Sequence, residues 1–354
     1  MRIPYSLELA VAAAGVAAVA TPVVIAVSRR LGVLDHPGPR RIHQAPVPTL
    51  GGLALAFAVL SVAWIARLLP GPAAELEVRP LLGLTFAAIP MLALGVVDDL
   101  RGVGPWSKLA LQACAGLILV AFGYGVPVLT NPLRGSIASG LFNIPLTVGW
   151  VLLVTNAINL IDGLDGLAAG AVLIAAVTLW WAGRTHFDFY VMFISALLIG
   201  ATFGFLCFNF PPARIFMGDT GSHFLGLTLA AVSLLENRKG TAAVTLLLPI
   251  VALALPILDG TVAFLRRLVR GRPVFRGDVG HIHHRLLRLG LSPRRALFAL
   301  WGVCVLCGAM AAVLSALPRA ASAPAALVLA LALFAALAWV RGRDRGRGGG
   351  GVGG

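Results

Sequence analysis

Apolar runs about as long as a bilayer is thick recur along the whole chain. A spanning helix needs about 20 consecutive apolar residues, and eleven such candidates lie near 6–27, 51–70, 80–97, 106–123, 144–161, 165–182, 187–208, 221–236, 243–265, 295–316 and 322–340. In lipid the backbone must satisfy its own hydrogen bonds, so runs of this kind fold as helices. The composition agrees, with 59% of the 354 residues hydrophobic and only 12% charged, whereas soluble domains average about 25% charged. The sequence therefore predicts an all-α polytopic membrane protein: one transmembrane domain over 1–341 and a basic Gly/Arg-rich tail over 342–354, expected to be disordered.

The net charge of +14 suits nucleic acid in a soluble protein. In a chain this apolar, basic residues anchor loops at the anionic cytoplasmic leaflet, so no nucleic-acid partner is expected, and membrane lipids are. The first run ends in the A-x-A pattern of a signal peptide at Ala18 and Ala20, but Arg29 and Arg30 follow the run and only Arg2 precedes it. Signal peptides carry their charge in front. It is read as a true first span with its N-terminus outside. Eleven spans then place the C-terminus in the cytoplasm, and that topology puts 20 of the 28 Lys and Arg residues on the cytoplasmic side, as the positive-inside rule requires.

The same topology gathers Asp35, Asp98, Asp99, Asp162, Asp165, Asp219 and Asp278 at cytoplasmic ends or loops. Carboxylates at a membrane boundary are costly unless they face a cavity, pair or bind an ion. Four stretches hold the chemistry. In NAINLIDGLDGLAAG (156–170), Asn156, Asn159 and Asp162 recur every third residue and share a helix face. Gly163 and Gly166 then break the helix, leaving Asp162 and Asp165 on a turn. A C-cap and polar turn would need only two such residues. In IFMGDTGSHFLG (215–226), Asp219, Thr220 and Ser222 open a span. They suit either helix capping or a phosphate held by free N–H groups. In LGVVDDLRGVGPWSK (94–108), Asp98 and Asp99 end a helix, where the dipole disfavours them, so a cation, a metal or a raised pKa is required. In FRGDVGHIHHRLLRLG (275–290), His281, His283, His284 and Arg285 are able to grip phosphate or sugar hydroxyls. Zinc is the competing reading, but the spacing fits neither H-E-x-x-H nor a Cys/His finger.

These motifs, together with DHPGPRRIHQAPVPTLGG at 35–52, resemble the polyprenyl-phosphate N-acetylhexosamine-1-phosphate transferases. Five motifs occur in order along most of the chain. The H-I-H-H form is similar to the GlcNAc-1-phosphate branch, whereas the peptidoglycan translocase branch tends to show three consecutive histidines. Arg41 stands where many members carry lysine. The resemblance implies that UDP-N-acetylhexosamine and undecaprenyl phosphate react with Mg2+ (or Mn2+) to give undecaprenyl-pyrophosphoryl-sugar and UMP, with GlcNAc the default sugar. It implies the bacterial cytoplasmic membrane and leaves room for a homodimer. Carried over position by position, Asp219 and Asn159 resemble the magnesium ligands and Lys108 a phosphate-contacting lysine. Asp98 is the candidate for the base or orienting group at the lipid phosphate, with Asp99 supporting it and Asp162 grouped with them. Asp165 and Phe216 resemble uracil-holding positions, Asn156 belongs to the same substrate site, and His281, His283, His284 and Arg285 line the sugar and pyrophosphate.

Two other classes share some of these features. An intramembrane aspartyl protease uses a Gly-x-Gly-Asp signature, but Phe216 replaces its first glycine here and no Tyr-Asp partner exists in the chain. A secondary transporter binds near the midplane, whereas these motifs sit at one surface. Cys304 and Cys307 form a C-x-x-C inside an apolar span, where small packing residues are expected.

Overall fold

The protein is described from a computed structural model covering residues 3–37, 45–126, 128–131, 135–236, 253–269 and 282–316. The described residues are mostly helical: α1 (Ile3–Leu31), α2 (Gly51–Leu68), α3 (Val78–Arg101), α4 (Pro105–Ala121), α5 (Asn143–Ile161), α6 (Leu167–Thr185), α7 (Phe189–Asn209), α8 (Gly218–Glu236), α9 (Ala254–Val269), α10 (Ile282–Arg288) and α11 (Pro293–Ala316). Two short antiparallel pairs accompany them, β1 (Leu34–Asp35) with β2 (Val47–Pro48) and β3 (Val128–Asn131) with β4 (Gly135–Ala138). Among the described residues seven helices are long and apolar enough to cross a membrane, namely α1, α2, α3, α5, α6, α7 and α11, and α4 is a shorter apolar helix. This is a multi-pass membrane protein. The run expected at 322–340, the tail 342–354 and most of 243–253 lie outside the described residues.

Successive helices run up and down, so the segments joining α1 to α2, α3 to α4, α5 to α6 and α7 to α8 share one end of the bundle. Bonds between those segments show it. Ser28 of α1 donates to the Thr49 carbonyl at 2.7 Å, Gly51 N–H of α2 to Phe216 O at 3.0 Å, and Gly166 N–H to Asn209 of α7 at 3.0 Å. At the opposite end Tyr124 donates to Pro80 O at 2.7 Å and Arg79 to Ala121 O at 3.1 Å.

Helix α8 runs through the middle, against α2, α3, α5, α6 and α7. Its entry is possible because small residues let backbones approach closely, the usual device where lipid removes the hydrophobic drive between helices. Any Cβ on Gly52 would overlap the Gly221 backbone, and one on Gly95 would overlap the Thr220 backbone. A Cβ on Gly226 would lie 2.6 Å from Thr155 Cα. Gly200 and Gly204 of α7 bring the same closeness to the Ala10 and Ala14 carbonyls of α1.

The N-terminal turn of α8 is therefore held by absent side chains on α2 and α3. Overpacking costs about 1–3 kcal/mol, occasionally more. Gly95→Ala should lower the thermal midpoint of the detergent-purified protein and depress its activity. Gly149→Ala is the control: its Cβ meets nothing within 4 Å, and its thermal midpoint should stay level or rise.

Candidate active site

At the shared end of the bundle the adjacent carboxylates of α3 have different partners. Asp98 forms an ion pair with Lys108, three residues into α4, and accepts the Val103 N–H at 2.6 Å across the turn between the helices. Lys108 Nζ also donates to Asp219 Oδ2 at 2.8 Å, so one ammonium bridges two carboxylates from distant parts of the chain. It supplies the cation that a carboxylate pair at a helix C-terminus requires. Asp99 turns the other way and accepts from Asp219 N–H at 2.8 Å, Thr220 N–H at 3.1 Å and Thr220 Oγ1 at 2.7 Å.

That arrangement decides how the start of α8 is capped. Gly218 takes the left-handed conformation, φ 68°, where a Cβ would also crowd the Asp99 carboxylate. The orphan N–H groups of the helix then go to Asp99 from α3, an anion placed where the dipole favours it. Asp219 does not cap its own helix; its carboxylate faces inward, toward Lys108 and Asn159. Asn159 Nδ2 donates to Asp219 Oδ1 at 2.8 Å and to Ser222 Oγ at 2.9 Å. His223, fully buried one turn on, bonds the Asp219 carbonyl at 2.6 Å.

The turn between α5 and α6 forms the second wall. Asp162 ends α5, and Gly166 (φ 74°) starts α6. The Asp162 carboxyl is pushed well above the usual carboxylate range, first by burial and then by the charges of Asp219, Asp99 and Asp165. Asp165 Oδ2 accepts the Ala213 N–H at 3.0 Å, binding this turn to the α7–α8 segment. On that segment Phe216 is half-buried and its backbone pairs with Pro48 O at 2.9 Å and the Gly51 N–H at 3.0 Å.

The histidine motif reaches the same place. A Cβ on Gly163 would overlap the His283 ring, so the bare glycine seats that imidazole on the turn. His284 lies against His283 with ring centroids 4.2 Å apart, Arg285 is buried, and Asp259 of α9 accepts the Ile282 N–H at 3.2 Å. His281 lies outside the described residues. Asn156 sits one turn deeper than Asn159, donating to Gln112 Oε1 and to Leu152 O, each at 2.7 Å.

Three further residues at the site lie outside the sequence predictions. Gln112, fully buried, follows Lys108 by four residues, so a second polar group on the lysine's helix face was its signal. Asn209, buried at the end of α7, accepts from Gly166 N–H and donates to Ile215 O at 2.9 Å, joining the two loops that carry Asp165 and Asp219. A polar residue closing an otherwise apolar run marked it. His223 had no signal beyond its place in the Asp219 motif.

For a metal, Asp219 offers a carboxylate, and Asn159, whose amide nitrogen bonds that carboxylate here, would turn to add its oxygen. Among the described residues no three His, Cys, Asp or Glu groups cluster as a ready cage. A two-ligand set completed by phosphate oxygens and water is the manner of Mg2+, and the donor chemistry fits it.

Residues 81–237, which carry Asp98 to Ser222, match the model of glycosyl transferase family 4. The chain is 36% identical over 286 residues to the "Probable undecaprenyl-phosphate N-acetylglucosaminyl 1-phosphate transferase" of Bacillus subtilis, covering 79% of this chain and 77% of that one. It is 36% identical over 320 residues to the decaprenyl-phosphate N-acetylglucosaminephosphotransferase of Mycobacterium leprae, covering 83% and 80%. The phospho-N-acetylmuramoyl-pentapeptide-transferase of Desulforudis audaxviator is 31% identical over 321 residues, covering 82% and 93%. The relatives are phosphotransferases, and with the multi-pass helical bundle they mark the class as a membrane-embedded phosphotransferase. The chain belongs to the polyprenyl-phosphate N-acetylhexosamine-1-phosphate transferase family.

Asn209 serves the site only by joining its loops. Replacing it with leucine leaves a buried N–H and a buried carbonyl unpaired, at about 1–3 kcal/mol each. Asn209→Leu should lower the thermal midpoint and cut turnover by more than about tenfold. Asn209→Asp keeps the acceptor for Gly166 and should fall between the two.

Proposed function

We propose that this protein transfers N-acetylglucosamine 1-phosphate from UDP-GlcNAc to a polyprenyl phosphate, giving polyprenyl-pyrophosphoryl-GlcNAc and UMP. Family membership carries the reaction class, and the Asp98–Lys108–Asp219–Asn159 constellation is the observation that carries the mechanism. The reaction joins a lipid-phosphate oxygen to the β-phosphorus of the nucleotide sugar and breaks the bond from that phosphorus to the bridging oxygen of UMP. Two anions have to meet, so the site must neutralise them before anything else. The protease and transporter readings find no support in the relatives.

Asp219 and Asn159 would hold Mg2+, or Mn2+, with the Asn159 amide turned to present its oxygen. When bound, such an ion would supply charge neutralisation at the pyrophosphate. Lys108 leaves its carboxylate partners to contact phosphate. Asp98, released from it, orients or deprotonates the lipid phosphate, while Asp99 keeps the start of α8 in place. A cation bound nearby would draw the raised Asp162 carboxyl back toward its ionised form. Asp165 and Phe216 would receive the uracil, and the His283, His284 and Arg285 group, with His281, the sugar and pyrophosphate. The site lies on the cytoplasmic face of the bacterial inner membrane, where the nucleotide sugar is made, at the first membrane step of a cell-envelope polysaccharide.

The metal assignment is tested with UDP-GlcNAc, undecaprenyl phosphate and Mg2+. Asp219→Asn should remove nearly all UMP release while the thermal midpoint stays close to wild type. Near-normal turnover at ordinary Mg2+ would sink the assignment.

The role of Asp98 is read from pH. Loss of a general base costs about 10²–10⁴-fold, and the second pKa of a phosphate monoester is about 6. Asp98→Asn should therefore show its largest kcat deficit near that pKa and recover toward wild type above it, with UDP-GlcNAc binding unchanged. A deficit equal at every pH would make Asp98 a positioning group, and collapse of nucleotide binding would place it in the nucleotide site.

A further inference from the structure

Asp259 is the one acidic residue between Glu236 and Asp278. It stands on α9 among apolar neighbours in sequence and is fully buried. A carboxylate there is costly unless the fold uses it. Its Oδ1 accepts the Ile282 N–H at 3.2 Å, from a residue 23 positions further on. That N–H opens α10, the seven-residue helix that carries His283, His284 and Arg285. So short a helix does not stand by itself, since isolated helices under about 12–15 residues are marginal in water. Its first N–H groups have no partner within the helix, and a carboxylate from outside pairs one of them and suits the dipole. Asp99 treats α8 in the same way from α3.

The helix that bears Asp259 is itself fixed to the working end. α9 packs against α5, and a Cβ on Gly260 would lie 3.1 Å from Leu160 Cδ1, the residue after Asn159. At its other contact α10 places the His283 ring on bare Gly163. The histidine helix is thus held at two points, its first N–H on α9 and its imidazole on the α5–α6 turn. We propose that Asp259 is a positioning residue, whose bond to Ile282 sets where His283, His284 and Arg285 stand relative to Asn159 and Asp162. This rests on the reading that the histidine group receives the sugar and pyrophosphate. The uracil end, at Asp165 and Phe216, has its own supports in the Ala213 N–H and the Pro48 and Gly51 backbone. Loss of Asp259 therefore damages the site on one side only.

Three variants test this in the full chain with Mg2+. Misplacing a group by about 1 Å can cost about 10²-fold, so Asp259→Leu should lower kcat/KM for UDP-GlcNAc by about tenfold or more. KM for undecaprenyl phosphate, and inhibition by UMP, which lacks the sugar, should stay within about twofold of wild type. Asp259→Asn keeps an oxygen for Ile282 and should remain close to wild type in all three. Ile282→Pro withdraws the N–H and leaves the carboxylate, and proline is tolerated in the first turn of a helix. It should reproduce the leucine deficit, which keeps the proposal open to refutation where Asp259→Leu does not fold. Hydrogen exchange reads the same bond without turnover. Amides over 283–288 should exchange about tenfold faster or more in Asp259→Leu and Ile282→Pro, with α5 and α8 unchanged. An asparagine variant as damaged as the leucine one, a loss shared equally by UMP and undecaprenyl phosphate, or unchanged exchange over 283–288 would overturn the proposal. Failure of wild type to release UMP, with exchange changing as expected, would instead count against the transferase reading alone.

Discussion

One ammonium holds the working end of this protein together. Lys108 stands between Asp98 and Asp219, drawing α3, α4 and α8 into one electrostatic unit at the membrane boundary. Without a cation, two carboxylates there would repel each other across a partly desolvated gap, and burial would add to the cost of each charge. A lysine serves better than an arginine in this place. Its compact point charge on a flexible stem is able to move from carboxylate to phosphate, whereas a planar fork is committed to its pair. The resting site is a charge balance prepared for exchange, with the ammonium standing where anionic substrates will bring their own charge.

The balance depends on α8 being delivered to within a few ångströms of its partners, and side chains that are missing achieve this. Gly52, Gly95 and Gly226 lie where any larger residue would push the helix away. Asp99 then binds the first N–H groups of α8 and spares Asp219 from capping its own helix. Two neighbouring aspartates thus divide the labour. One fixes the element and the other remains in the reactive charge cluster. Asn209 does the corresponding work for the second wall, where its amide fastens the turn bearing Asp165 to the segment bearing Asp219.

The sequence revealed the architecture because lipid leaves a chain so few choices. Apolar runs at bilayer length predict helices, and the helices observed at Ile3–Leu31, Val78–Arg101 and Phe189–Asn209 start and stop within a few residues of the runs near 6–27, 80–97 and 187–208. The aspartates stood out for the same reason, since charge in such surroundings is expensive. Direction of engagement was not legible. Nothing in the string DDL says that one carboxylate will face a lysine nine or ten residues on and the other a backbone 120 residues away. Gln112 and Asn209 escaped notice because a single amide in an apolar run carries no spacing signature, and its meaning comes from a partner distant in sequence. The small residues, ordinary as a count, acquire meaning only once their opposing backbones are known.

A reaction between a water-soluble nucleotide and a membrane lipid can occur only where the two solvents meet, and the up-and-down course of the helices puts every polar loop of the site at one such boundary. The loops alone would serve the nucleotide. On α3 one helix face passes in two turns from the apolar Leu92 to Asp99 beneath the start of α8, so hydrocarbon and charge lie close together. Polar groups on such a path must be satisfied before the substrate arrives, or water would follow them inward. Lys108, Asp98 and Asp219 satisfy one another, Asp99 is filled by the α8 backbone, and Asn156 is filled by Gln112. The internal pairing therefore leaves the charged groups of the site committed to one another until an anionic substrate competes for Lys108.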